Sequence, residues 1–166
     1  MASSQMASDY AAALGSLDDP RAHEVPWRLV NRNVAREQAA IALTWHPSAA
    51  DLPKLADIAL APGGGELDRE LSSLPYHLHR AYGDASLPFL EKMLSGSSSM
   101  WVRTESAREL VMAGRPSGFV FMADAIGNGR RYRAEMIRFL RDQFPELRQA
   151  DEARVLSFVQ ARATTK

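Results

Sequence analysis

Cysteine is absent from this chain of 166 residues, which removes disulfides, thiolate catalysis and cysteine-ligated zinc or iron–sulfur centres. Net charge is absent as well. Twenty Lys and Arg balance twenty Asp and Glu, so no global field steers the chain toward nucleic acid or an anionic membrane. No apolar run approaches the roughly 18 residues of a membrane-spanning helix. The amino-terminal stretch Met-Ala-Ser-Ser-Gln-Met lacks both a basic region and an apolar core, which argues against a secretory signal. Residues 1–7 are expected to be disordered, and the protein to be cytoplasmic.

Catalytic signatures are also missing. Gly63-Gly64-Gly65 lacks the Gly-Lys-Ser/Thr ending of a phosphate-binding loop, and no strand precedes it, so it reads as a linker. No Gly-x-Ser-x-Gly turn offers a nucleophilic serine, and the serine run 95–99 reads as loop filler. His77 and His79 stand two apart on a predicted helix, point to different faces and cannot chelate one ion. With His23 and His46 they complete the histidines, and neither metal nor cofactor is expected.

What is present is a repeat within a composition ordinary for a globular protein, 46% hydrophobic and 24% charged. A polar or Gly/Ala turn, an apolar residue, usually Pro, and an apolar helix start recur as Val25-Pro26-Trp27, Asp51-Leu52-Pro53-Lys54 and Ser86-Leu87-Pro88-Phe89. A Pro-less copy reads Pro116-Ser117-Gly118-Phe119-Val120. An offset of thirty-two pairs Leu78 with Leu110, Leu87 with Phe119, Leu90 with Met122 and Leu94 with Ile126. A second offset, of thirty, carries Arg103-x-Glu105-x-x-Arg108-x-Leu110 onto Arg133-x-Glu135-x-x-Arg138-x-Leu140. Asp51 and Ser86 stand where a side-chain oxygen would cap the following helix, and Pro53 and Pro88 fall in the first turn, where a missing N–H costs little.

Apolar residues three and four apart within each copy predict helices buried on one side. The reading is an all-α, right-handed α-solenoid of about five antiparallel helix pairs, roughly 8–30, 34–60, 67–94, 100–126 and 131–161, within one domain over 8–166. Repeats of this kind cannot bury their apolar faces alone and must stack.

The helix–turn–helix period, the turn before Leu-Pro and the Val102-Arg103-x-x-x-Ala107 start resemble the HEAT-repeat superfamily, especially the short bacterial repeats also found in bilin lyases. The resemblance covers nearly the whole chain from about residue 10 onward and is strongest over 101–145. It implies a concave surface lined by second helices and leaves function open, because one fold serves many tasks.

Trp27, Phe89 and Phe121 take related positions at second-helix starts, beside the core stripe. Exposed there, they would anchor a partner, with Lys54, Asp57, Glu91, Lys92 and Asp124 as a polar rim. Otherwise they fill the core between repeats. Arg36, Arg103 and Arg133 recur at one equivalent site, which suits a structural ladder between neighbouring repeats. Arg131, Arg138 and Arg141 share one side of a helix, but Glu135 and Asp142 are interleaved at spacings suited to intrahelical ion pairs.

Together these features predict a monomeric, non-enzymatic scaffold or adaptor that holds an unidentified protein or peptide. The alternative is a nucleic-acid-binding protein resembling the HEAT-like DNA glycosylases. A bilin-lyase-like role is a further alternative that rests on the resemblance alone.

Overall fold

The computed structural model describes residues 20–60, 69–129 and 131–164, with Asp9 and Ala13. The chain is all-α: among these residues there are helices and turns and no strand. No helix among them is long and apolar enough to cross a membrane. The glycine run 63–65, residues 1–7 and most of the first helix expected in the first pair lie outside the described residues.

The helices are α1 (Pro20–Asn31), α2 (Arg36–Trp45), α3 (Leu52–Leu60), α4 (Leu74–Tyr82), α5 (Leu87–Gly96), α6 (Met100–Met112), α7 (Pro116–Gly127), α8 (Arg133–Gln143) and α9 (Glu152–Ala163). They group into two compact units, Met1–Glu105 and Ser106–Lys166, divided inside α6. In the first unit α1 packs on α2, α2 on α4, and α3 on both α4 and α5. In the second, α7 packs on α9 and α8, and α8 on α9.

The sequence pattern determines what is buried. All eight residues matched at the thirty-two-residue offset lie in the core. Val102, Ala107, Leu110 and Val111 of α6 and Met136, Ile137 and Leu140 of α8 are likewise buried. Gly83 and Gly114, at φ 53° and 70°, end α4 and follow α6 in a left-handed conformation that other residues adopt only at a cost. Leu71, in the turn before α4, holds φ 65° without being glycine. Its side chain is fully buried, and that burial fixes the turn.

The helix starts differ from expectation in instructive ways. Pro26 does not open a helix but lies inside α1. Ser86 does not cap α5: a 3₁₀ turn over Gly83–Ser86 feeds straight into the helix, Ser86 has helical φ and ψ, and its hydroxyl donates to the Gly83 carbonyl. The Asp51 carboxylate is buried and taken by partners on α1 rather than by the start of α3. His23 Nε2 lies 2.5 Å from Asp51 Oδ2, and Trp27 Nε1 donates to Oδ1 at 3.2 Å. A carboxylate buried with two such partners locks α1 to the turn before α3, where an exposed cap would not.

The serines at 95–99 are also more than filler. Ser97 and Ser99 are buried, and Ser97 Oγ donates to the Ala59 carbonyl of α3 at 2.9 Å while accepting from Ser99 N. Ser99 Oγ in turn accepts from Val102 N at the start of α6. Buried polar loops persist only when satisfied in this way. Asp151 caps α9 in the same way, accepting from Arg154 N at 2.8 Å.

Candidate binding groove

Of the residues singled out at second-helix starts, Trp27 meets Lys54 and Asp57 meets Lys92. Trp27 is half-buried, with Lys54 Nζ 5.5 Å from its ring centroid and its indole N–H committed to Asp51. Asp57 and Lys92 form an exposed ion pair at 3.1 Å that joins α3 to α5. Phe89 and Glu91 are half-buried on α5. On α7, Phe121 and Asp124 are half-buried, and Asp124 accepts from the Asn128 side chain. Of the three equivalent arginines, Arg103 donates through Nε to the Leu94 carbonyl at 2.9 Å, and Arg133 pairs with Glu152 of α9. Arg36 is half-buried at the start of α2.

The more open apolar surface in the first unit lies on first helices instead. Trp45, the last residue of α2, and Tyr76 on α4 are 46% and 40% exposed. With Pro47, His77 and Arg80 they line a groove of about 590 Å³. Each part follows from local sequence. Pro47 cannot continue a helix, so α2 stops and leaves Trp45 at its rim. Thr44, beside it, is buried, and its hydroxyl is satisfied by donating to the Ile41 carbonyl at 2.6 Å. Glu37 in the first turn of α2 accepts from both N and Oγ of Ser73, at 3.1 and 2.8 Å. That carboxylate serves the start of α4 from a neighbouring helix, where its charge suits the helix dipole, and so fixes α2 against α4.

On α4 the polar groups of the groove are held by one another. Arg80 Nη1 donates to the Tyr76 hydroxyl one turn earlier at 3.1 Å. The Tyr76 and His77 rings meet edge to face, with centroids 5.2 Å apart and planes at 81°. Burial lowers the His77 pKa, nearby Glu37 opposes that, and Arg80 adds to it. His77 is therefore biased toward the neutral imidazole, which can both donate and accept a hydrogen bond. The groove offers two aromatic faces, a guanidinium with N–H groups beyond the one used on Tyr76, and a neutral imidazole. Aromatic faces of this kind pack against apolar groups, and guanidinium and imidazole N–H groups donate to carbonyl or carboxylate oxygens.

Sequence reasoning passed over this site because it followed the second helices. The signal was present: Trp45 falls off the buried Ala39–Ala40–Leu43 stripe of α2, and Tyr76 and Arg80 stand four apart on α4. No three His, Asp or Glu side chains converge as a metal site among the described residues. No protein-family model matches the chain, and neither a curated protein nor a solved structure matches it. The functional reading therefore rests on the chain's own geometry.

Proposed function

We propose that this protein is a non-enzymatic, cytoplasmic binding module that holds a peptide segment of a protein partner, built as a short HEAT-like α-solenoid. The single observation that carries the reading is the groove in which Trp45 and Tyr76 stay exposed beside Arg80. Trp, Tyr and Arg are the residue types that dominate interface hot spots, and their exposure costs solubility unless a partner covers them. The packing of α2 on α4 and of α3 on α5 supports the solenoid reading, because next-but-one stacking is how helix pairs extend an array. The occupant that suits the groove is an extended peptide with an apolar or proline side chain for the rings and a carbonyl or carboxylate for Arg80.

The test is an affinity pull-down from source-cell lysate with wild-type and Trp45→Ala protein, with and without nuclease, read by mass spectrometry. A stoichiometric protein that survives nuclease and is lost with Trp45→Ala supports the groove. Recovery equal for both proteins refutes the site. Recovery abolished by nuclease supports the nucleic-acid alternative, in which the same rings would stack bases.

A further inference from the structure

The intrahelical pairing that the sequence of α8 invites is not made. Neither Arg131 nor Arg138 forms an ion pair with Glu135 or Asp142 among the described residues. Instead Arg138 and Arg141 of α8 and Arg148, just past the 3₁₀ turn Pro145–Leu147, line an open groove of about 500 Å³ with Ala134 and Asp142. Leu147 is buried, and Arg148 N donates to the Pro145 carbonyl, so the turn that carries Arg148 is held in place. Arg141 is held as well: its Nη2 donates to the Ala150 carbonyl at 2.7 Å, while its Nε is buried without a hydrogen-bond partner. Three guanidinium groups share the groove with one carboxylate, Asp142, and neither Arg138 nor Arg148 forms an ion pair within 4 Å among the described residues.

We propose that this groove is an oxyanion site that binds a compact phosphate group, as inorganic phosphate, diphosphate or a small phosphate ester. Guanidinium forks match phosphate oxygens two at a time, and one anion between several of them offsets their mutual repulsion. A tract of nucleic acid suits it less. No aromatic ring lines it for base stacking, and Arg131, which would extend a phosphate track, is not part of the lining.

The experiment is calorimetric titration of the full chain with diphosphate at low ionic strength, repeated with inorganic phosphate and with a single-stranded RNA oligonucleotide. Saturable binding of diphosphate is expected, weakened by added salt. Arg138→Gln and Arg148→Gln should each weaken it by about tenfold, and Asp142→Asn should strengthen it by about threefold. Both arginines are exposed, so circular dichroism of the variants should match wild type. Absence of diphosphate binding, binding unchanged in both arginine variants, or binding of the oligonucleotide alone would each overturn the proposal.

Discussion

Gly118 is the residue at which a single added carbon should be felt most directly. A Cβ built there would stand 2.7 Å from the Ala107 carbonyl oxygen, 2.8 Å from Val111 N and 2.9 Å from Leu110 Cβ. The first two are backbone atoms of α6, and none of the three is the swinging end of a side chain. α6 and α7 must therefore move apart by several tenths of an ångström, disturbing Leu110 and Phe119 in the core. Overpacking of this kind costs about 1–3 kcal/mol. It is offset by at most about 1 kcal/mol from the better helix propensity of alanine. The net expectation for Gly118→Ala is destabilisation of about 1–2 kcal/mol, read as a lower urea midpoint with little change in slope. Gly127→Ala in the same helix is the internal control. Its Cβ would meet only Leu156 Cδ1 at 3.9 Å, so that variant should be neutral or slightly stabilised. Gly118→Ala protein as stable as Gly127→Ala would refute the close helix approach.

Three further outcomes follow from the polar groups of the first unit. Asp51→Ala removes the carboxylate on which His23 and Trp27 converge. It should cost about 2–3 kcal/mol, because hydrogen bonds to a buried charge are lost and the indole N–H is left unpaired; chemical denaturation measures it, and a loss below about 0.5 kcal/mol contradicts the network. Ser97→Ala deletes the donor to Ala59 and the acceptor for Ser99 N, with an expected loss of about 1–2 kcal/mol by the same assay. His77 has a pKa lowered from 6.5 by burial, so the unfolded chain binds its proton more readily than the fold does. Stability from this group is complete above about pH 6.5 and declines as pH falls through the lowered value. The drop in urea midpoint from about pH 7.5 to about pH 5.5 should therefore shrink in His77→Gln, and an unchanged drop counts against the partly buried imidazole.

How much of this molecule its sequence discloses depends on whether a residue acts within its own helix or across to another. Apolar spacing is local and repeats, so the core could be read directly: Leu78 and Leu110, or Leu90 and Met122, match by offset, and each is buried within its own unit. The positive φ of Gly83 and Gly114 is equally local, because it is a demand of the turn itself. Polar side chains escaped the same reading. Asp51 and Ser86 occupy similar places before Leu-Pro, yet one reaches back to α1 and the other to its own 3₁₀ turn. Their shared place before Leu-Pro does not name either partner. Glu37 looks like an exposed first-turn carboxylate and serves the start of a helix thirty-six positions away. Ser97 looks like loop and satisfies a carbonyl thirty-eight positions back. A buried polar group needs a specific partner at hydrogen-bond distance, and the fold, not the local spacing, supplies that partner. The aromatic groove belongs to the same class. Trp45 and Tyr76 lie on different helices, and the packing of α2 on α4, with the Glu37–Ser73 link across it, brings two separate exposed rings into one surface.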